Sequence, residues 1–496
     1  MQLLNHTITR LLITFIGWGI LYTNGQAQNI SPSPNAAALE SFSEVPVSLY
    51  TGIPSVNVPI YNLSSRHLSV PVSLNYHYTG LRPNEQTSWV GLGWALSAGG
   101  VITRTVRGKP DEWSNIGYYD TKDKIKHQYD HYYTDPADAT RLANAEQEWF
   151  FLKGIANGQY DGQPDVYSFN VAGYTGKFFL DKQSDGSFKA YTIPYQNVKI
   201  EVPDNVTTFD WKIIVPNGTQ YIFGGALTEM SSTSSTSSVG DAVSDLEYTS
   251  AWYLKEIRSM NGDDAIQFHY QVANPVDQYQ VMYSEQRQFY ISGENNSACS
   301  NALTPVAITA TEVKVGNRLH IAKITTQTGH EVIFEEGAQR QDYSDKTLGR
   351  ILVKSRTGEL IKVVNFTYGY LDGGQGFKRL LLTKVQEVNG KQPIIAPSAL
   401  PTNASELNYK GSYEFTYNMR VGGMALEGKF SRSIDHWGYY NGAGNSTLVP
   451  SYDYPAAGIF FAGANREVNH AALQAGVLLS INNPTGGTTT LDWEPN

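Results

Sequence analysis

Asp111 and Glu112, beside Trp113, form the most suggestive acidic pair in the chain. A glycosidase needs two carboxylates that face each other across the scissile bond at roughly 5 to 9.5 Å. Adjacent residues of a strand point to opposite faces, so this pair alone cannot supply that geometry, and the sequence offers no second carboxylate with a better claim. We therefore interpret Asp111-Glu112 as a solvated strand end, with Asp111 hydrogen-bonded in a turn.

Two histidines four residues apart, His127 and His131, have Asp130 between them and Asp135 after them. On a helix both imidazoles would share one face and could bind a metal ion. The glutamate of a zinc-protease signature is missing, and the segment DHYYTDP is not typical of a helix. Exposed polar residues in a tyrosine-rich loop are the preferred interpretation.

Asp435 and His436 have the residue types of an acid–base pair. The neighbouring Ser433 lies in the same predicted strand and lacks the glycine pattern of a nucleophile elbow. We therefore predict that His436, Trp437 and Gly438 form a structural corner rather than a catalytic site.

Trp437 has a second interpretation, together with Tyr439 and Tyr440. Flat aromatic rings suit the C–H faces of sugars, so these three side chains are candidates for contact with a glycan or a partner. This alternative makes the protein a glycan-binding or adhesion module of the cell surface.

Loop carboxylates and the single cysteine complete the candidates. Asn261-Gly-Asp263-Asp264 and Asp372-Gly-Gly could offer oxygens to calcium, but neither has the spaced ligands of an EF-hand, and hairpin turns explain both. Cys299 has no activating neighbour. We predict no catalytic, cofactor-binding or metal-binding residue and a protein that is not an enzyme, with a glycoside hydrolase as the alternative.

Strands must position most of these side chains. The 496 residues include 32 Tyr and 45 Gly beside only 6 Met, a balance that favours strands and turns over helices. The prediction is an all-β fold of stacked antiparallel hairpins and sheets. The segment ATRLANAEQEWFFLKGI predicts one helical insertion, near residues 138–155.

A glycine-rich tryptophan motif, SWVGLGWALSAGG, follows two predicted strands. Glycine lets the backbone approach a ring closely or turn with positive φ, so the motif predicts a packed corner between strands. Its structural residues are Trp89, Gly91, Gly93, Trp94, Gly99 and Gly100.

A degenerate repeat consists of an apolar strand, a turn with glycine, and a second strand that ends in aromatic residues. The turn glycines are Gly218, Gly262, Gly329, Gly358, Gly390 and either Gly486 or Gly487. A spacing near 30 residues between three of them indicates stacked hairpins, each of which needs its neighbours to bury one face.

The predicted organisation has five parts. Residues 1–27 form a secretory signal peptide, cleaved after Ala27, and 28–44 form a linker. An amino-terminal β region covers 45–230 and contains an insertion at 111–164. A flexible loop rich in Ser and Thr covers 231–247, and a hairpin-repeat β region covers 248–496.

The charge of −9 at pH 7 argues against nucleic acid as a partner, because phosphate binding depends on Lys and Arg. The apolar run of the signal peptide is shorter than the ~20 residues of a bilayer span. One cysteine excludes an internal disulfide. We therefore expect an exported protein, extracellular or at the cell surface, with no membrane span.

Three blocks resemble the amino-terminal region of bacterial RHS/YD-repeat proteins: SWVGLGWALSAGGVITR, SIDHWGYYNG and NPTGGTTTLDWE. In that family such regions precede tandem YD repeats that wind a β-sheet into a hollow shell, in some members around a toxic domain. The present chain has neither the tandem YD repeats nor a toxin-like tail. The resemblance implies an exported, non-enzymatic β scaffold that encloses or presents another domain or chain, such as a downstream YD-repeat or toxin chain.

Overall fold

The structure is a computed structural model, and it describes most of the chain from residue 54 onward. The described residues are 29–30, 54, 56–125, 140–171, 173–204, 210–238, 243–273, 278–287, 289–290, 302–303, 306–372, 377–389, 409–420, 426–455 and 458–493. The predicted signal peptide, most of the linker, His127, Asp130, His131, Asp135 and Cys299 lie outside these residues.

The described secondary structure is almost entirely β, as predicted. The first strands are β1 Asn29–Ile30, β2 Val56–Ser64, β3 Ser69–Tyr76, β4 Trp94–Ser97, β5 Val101–Arg107, β6 Val166–Val171, β7 Tyr174–Lys182, β8 Phe188–Ile193, β9 Lys199–Glu201, β10 Asp210–Ile214, β11 Gln220–Ser237, β12 Val243–Arg258 and β13 Ala265–Val272. The later strands are β14 Gln278–Gln286, β15 Phe289–Tyr290, β16 Ala302–Leu303, β17 Ala307–Gly316, β18 Leu319–Thr326, β19 Glu331–Gln339, β20 Lys346–Lys354, β21 Leu360–Asp372, β22 Lys378–Asn389, β23 Tyr409–Tyr417, β24 Tyr452–Tyr454, β25 Ile459–Phe461, β26 Leu478–Asn482 and β27 Thr488–Thr490.

Helices are few. Residues 118–125 form α1. The predicted helical insertion is confirmed as α2, Thr140–Ala156, and a single turn, His470–Leu473, forms α3. No described helix is long and apolar enough to cross a membrane.

The chain divides into two compact units. Unit 1 comprises Met1–Ser31, Arg104–Tyr167 and Lys177–Ile193, and unit 2 comprises Pro32–Thr103, Ser168–Gly176 and Pro194–Asn496. In unit 1, β7 and β8 pair as an antiparallel hairpin. The rings of Tyr167 and Phe178 stack with centroids 5.2 Å apart, and both side chains are buried.

Unit 2 is a series of antiparallel hairpins. Strands β10 to β13 pair in chain order, β13 pairs with β18, and β18 to β23 again pair in order. Strand β23 then pairs with β26 and β26 with β27. The turn glycines Gly218, Gly262, Gly329, Gly358 and Gly486 all have positive φ, so the predicted hairpins at these positions are confirmed.

A separate three-stranded sheet of unit 2 contains β2, β3 and β4. The sequence SVPVSLNY of β3 alternates exposed or half-buried residues with buried ones. Because alternate side chains of a strand point to opposite faces, this pattern leaves one apolar face that must pack against other elements. Val70, Val72 and Leu74 supply that face.

The prediction of a flexible loop at 231–247 is wrong for residues 231–237 and 243–247, which lie in strands. Strand β11 continues to Ser237 and pairs with both β12 and β17. The Ser231 hydroxyl donates to Ser250 at 2.8 Å, and a hydroxyl bond of 2.9 Å joins Ser235 to Thr311. Cross-strand hydroxyl bonds and two ladders of backbone bonds thus stabilise a segment whose side chains are small and polar.

Candidate functional site

Trp94 is the centre of the predicted corner and lies in the interior of unit 2. Its side chain is 1% exposed, and its indole N–H donates to the Tyr417 hydroxyl at 2.8 Å. Its ring lies 5.1 Å from the Tyr76 ring and 4.6 Å from that of Phe415. Trp94 therefore joins β3, β4 and β23 and is not available as a surface ligand site.

The glycines of the corner permit this packing. Gly93 has φ +73°, and a Cβ there would lie 2.6 Å from the Tyr78 Cβ, so no larger residue fits without rearrangement. At Gly91, with φ +110°, a Cβ would lie 3.0 Å from the backbone nitrogen of Leu382. The Leu92 amide donates to the Leu380 carbonyl at 2.8 Å, which ties the corner to β22.

An arginine brace holds the start of the corner. The Arg340 guanidinium donates to the Ser88 carbonyl at 2.8 Å and forms a bidentate pair with Asp342 at 2.9 and 2.8 Å. Both side chains of the pair are 1% exposed. Burial alone raises the pKa of Asp342, but the Arg340 hydrogen bonds and charge outweigh it and hold that pKa below its usual value.

A small cavity of about 80 Å³ adjoins the corner, on the side of Trp89. Its walls are mainly aromatic and aliphatic, and they include Gly99, Gly100, Tyr253 and Tyr270. His320 completes the lining, and its imidazole stacks on the Trp89 ring at 4.2 Å. The cavity has room for a few water molecules or one very small ligand.

His320 has an unusual environment for a histidine, because it is buried without hydrogen-bond partners in the described part of the chain. The residue is 2% exposed, and neither ring nitrogen has a hydrogen-bond partner among the described residues. Its Nε2 lies 3.5 Å from the Asp345 carboxylate, which pairs with Arg318 at 2.7 Å. Burial, followed by the charges of Arg318 and Arg340, lowers the pKa of His320 well below its usual value, so the imidazole is neutral at neutral pH.

No nucleophile accompanies this imidazole in the described lining of the cavity. Ser88 is the serine of the wall, and its Oγ donates to the backbone carbonyls of Gly91, at 3.0 Å, and Trp94. The wall hydroxyls of Tyr253 and Tyr270 donate to Glu229 and to the Leu254 carbonyl. The arrangement supports packing and buried water rather than acyl transfer.

Unit 1 contains a carboxylate centre that the sequence did not reveal. It consists of Asp111, Asp161 and Asp165, and one carboxylate oxygen from each of them lies within 4.8 Å of the other two. These residues are 0%, 2% and 0% exposed, so the predicted solvated strand end at Asp111 is wrong. The missing carboxylates lie 50 and 54 residues further along the chain.

Arg104 supplies the cation of this centre. Its Nε donates to Asp165 at 2.8 Å, and its Nη1 donates to Glu112 at 3.0 Å. Burial alone raises the pKa of Glu112, but the Arg104 charge and hydrogen bond outweigh it and lower that pKa. The two residues of the predicted acidic pair thus have different partners. Glu112 binds Arg104, and Asp111 belongs to the carboxylate centre.

Burial raises the pKa values of all three aspartates. Burial and the charge of Asp165 raise the pKa of Asp161 to about 7. The same two causes raise the pKa of Asp111 well above its usual value. In Asp165 burial again raises the pKa, and the Arg104 charge and hydrogen bonds only partly oppose it.

The second aromatic corner separates the three residues of the predicted sugar platform. Trp437 is 68% exposed and lies edge-on to His436, whereas Tyr440 is 0% exposed. The Tyr439 hydroxyl donates to Thr79 at 2.9 Å. Tyr440 therefore cannot contact a glycan, and the three rings do not form one surface.

The acidic residue of that corner is structural. The Asp435 carboxylate accepts the backbone N–H groups of Trp437 at 2.8 Å and Tyr439 at 2.9 Å. The Ser433 hydroxyl donates to Glu427 at 2.9 and 2.8 Å. These bonds place neither group against the His436 ring, and they explain the HWGYYNG segment as a capped turn.

The loop carboxylates at 263–264 also stabilise turns. Asp264 accepts the hydroxyl of Ser65 at 2.5 Å and the amide of His67 at 2.8 Å. Asp263 accepts the Ser259 hydroxyl at 2.7 Å within its own hairpin. Asp264 thus fastens the β2–β3 turn to the β12–β13 turn.

Comparison with known proteins gives only distant structural neighbours. No family model and no curated protein matches the chain. The crystal structure of TcdB2-TccC3-Cdc42 contains a chain with 10% identity and a TM-score of 0.35, and the match covers 74% of the present chain and 16% of that chain. The crystal structure of TcdB2-TccC3-TEV gives 10% identity, a TM-score of 0.36 and the same two shares.

Proposed function

We propose that the protein is an exported, non-enzymatic β scaffold that encloses or presents another domain or chain. This proposal rests on the series of hairpins in unit 2. Its last strand, β27, pairs with β26 on one side and has no paired strand on the other side among the described residues. The resemblance of three sequence blocks to the front section of RHS/YD-repeat shells supports the same function.

The geometry of β27 identifies the groups that would receive a further strand. The Asn483 amide donates to Gly487, and the Leu491 amide donates to Leu479. Because hydrogen-bonded pairs alternate in an antiparallel ladder, Thr489 faces β26, and the backbone N–H groups of Thr488 and Thr490 point to the open side. All three threonine residues of β27 are exposed.

This edge suits strand addition by another hairpin. An unpaired edge offers a row of backbone donors and acceptors, and a partner strand that binds there extends the sheet. In RHS/YD-repeat proteins the corresponding block leads into YD repeats, so we propose that the occupant is a YD-repeat strand, from the same assembly.

A binding assay with matched variants tests the proposal. The protein is incubated with the YD-repeat product of the adjacent downstream reading frame, and complex formation is measured. Thr490→Pro removes the outward N–H and leaves the ladder with β26 intact, so we expect at least about tenfold weaker binding. Thr490→Val keeps the N–H and should bind like the wild type. Absence of a complex, or equal binding by both variants, would contradict the proposal.

Export rests on the signal peptide predicted at residues 1–27. The test is to express the full chain in its own host, recover it outside the cytoplasm and determine its first residue. We expect the mature chain to begin at Gln28. An unprocessed chain retained in the cytoplasm would contradict export.

A glycan-binding module is the second candidate, supported by exposed aromatic side chains in unit 2. Besides Trp437, Tyr452 and Tyr454 are 42% and 38% exposed, and their rings lie 6.5 Å apart on one strand. A glycan array tests this function. Hits that Trp437→Ala and Tyr452→Ala abolish would support it, and an array without hits would remove it.

A further inference from the structure

The carboxylate centre has more negative charge than its described neighbours balance. Asp111, Asp161, Asp165 and Glu112 carry four acidic groups, and Arg104 is the one base that forms an ion pair with any of them among the described residues. Glu112 and Asp165 already occupy that guanidinium. Burying unbalanced carboxylates is unfavourable unless a proton or a cation joins them.

One oxygen of the centre has no partner at all. Asp161 Oδ2 is buried and has no hydrogen-bond partner among the described residues, and its Oδ1 accepts a long bond, 3.4 Å, from the Gln163 amide. Both oxygens of Asp111 share a single donor, the Asp165 amide, at 3.1 Å. Asp111 and Asp161 therefore retain free lone pairs in a site that is closed to bulk water.

The backbone at Gly108 passes close to the Asp161 carboxylate. Gly108 has φ +87°, and a Cβ there would lie 2.8 Å from Asp161 Oδ1. The buried Tyr119 also has an unpartnered hydroxyl, and its amide donates to the Asp111 carbonyl at 3.2 Å. A bound ion would account for these unpaired buried oxygens.

We propose that Asp111, Asp161 and Asp165 bind one calcium ion, a site that the sequence did not predict. Three carboxylates without imidazole or thiolate suit a hard cation. Oxygens within 4.8 Å of one another fit around one ion, because two ligands on opposite sides of Ca²⁺ lie about 4.8 Å apart. Calcium accepts irregular sets of protein oxygens, whereas magnesium requires near-ideal octahedral geometry and keeps several of its water ligands.

The ion would connect the two ends of a long segment of unit 1, from Asp111 to Asp165. Asp111 lies shortly after the end of β5 at Arg107, Asp161 follows α2, and Asp165 directly precedes β6. A cation shared by these three residues joins the start of the segment that contains α1 and α2 to its end. Its role is structural, because an ion bound only by the folded chain adds binding free energy that offsets part of the entropy lost on closing this long loop.

Thermal unfolding with and without the metal tests the site. The full chain is freed of metal with a chelator, and its Tm is measured in buffer alone, with CaCl₂ and with MgCl₂. We expect a rise in Tm of about 3 °C at a Ca²⁺ concentration one hundred times Kd, and a smaller rise with Mg²⁺. Terbium, which replaces calcium, should give luminescence sensitised by the adjacent Tyr119.

Two asparagine variants separate the site from general charge effects. Asp161→Asn should lose the calcium-dependent rise in Tm and the terbium luminescence, while its Tm in chelator should equal or exceed that of the wild type. Asp123→Asn removes an exposed carboxylate of the same unit and should respond to calcium like the wild type.

Three results would overturn the proposal. The first is a wild-type Tm unaffected by calcium together with no bound metal by elemental analysis. The second is an equal calcium response in Asp161→Asn. The third, an equal rise in Tm with magnesium, would overturn the choice of calcium.

Discussion

Two tryptophans of the glycine-rich motifs have opposite environments. Trp94 is 1% exposed and donates a hydrogen bond to Tyr417, whereas Trp437 is 68% exposed. Motifs of similar composition thus produce an interior anchor in one place and a surface side chain in the other. The burial of neighbouring strands, not the motif itself, decides between them.

Trp94→Ala should lower the free energy of unfolding by about 3 to 5 kcal/mol, because it leaves a cavity and removes the hydrogen bond that the Tyr417 hydroxyl accepts. Chemical denaturation measures the change. Trp437→Ala is the matched control, and we expect a change within about 0.5 kcal/mol. Similar losses in both variants would contradict the interior role of Trp94.

His320 should make stability dependent on pH. Its pKa is lowered in the folded protein, so below about pH 6.5 the unfolded chain binds a proton that the folded chain does not. The free energy of unfolding should therefore fall as the pH drops from 6.5, by up to about 1.4 kcal/mol per unit. The charged groups that face the ring are Arg318, Asp345 and Arg340.

Denaturation curves at several pH values between about 8 and 5.5 measure this dependence. His320→Phe keeps the stacking on Trp89 and removes the titration, so its slope below pH 6.5 should be shallower than that of the wild type. His269→Asn, a change at an exposed residue, should keep the wild-type slope. Identical slopes in all three proteins would show that His320 does not contribute.

Residue-level prediction from sequence failed where partners are distant. Asp111 resembled a turn residue because Asp161 and Asp165 lie 50 and 54 positions away, and nothing local indicates that they meet. His320 stands in the strand LHIAKITT, and Trp89, whose ring stacks on it, lies far away in the sequence. Local pattern and local composition contain no information on such contacts.

Elements were more predictable than sites. A glycine between two alternating apolar segments predicts a hairpin, and the structure confirms this at Gly262, Gly329 and Gly358, which all have positive φ. The serine-rich segment of β11 was missed because its stability comes from strands on both sides, β12 and β17. Composition describes what a segment can bury and not which neighbours it has.

Two glycines distinguish backbone strain from steric overlap. Gly358 has φ +82° and open space around its Cβ position, so Gly358→Ala should cost only about 1 kcal/mol. Gly93 has a similar φ, but its Cβ would overlap Tyr78 and Tyr76. Gly93→Ala should cost at least about 2 kcal/mol more, measured by denaturation. Equal costs would show that the corner packs loosely.

In the whole molecule, the structural features of the two units suit different functions. Unit 1 contains the carboxylate centre, whose proposed calcium ion would stabilise a long excursion of the chain. Unit 2 provides a series of hairpins from β10 to β27 with an open edge among the described residues. We assign the proposed scaffold function to unit 2, because strand addition requires an available edge.

Amide hydrogen exchange at β27 tests the proposed scaffold function most directly. The exchange rates of Thr488, Thr489 and Thr490 are measured with and without the downstream YD-repeat chain. The outward amides of Thr488 and Thr490 should exchange rapidly alone and become at least about tenfold slower in the complex, whereas Thr489 should be protected in both states. Outward amides that exchange equally fast with and without the partner would contradict strand addition at this edge.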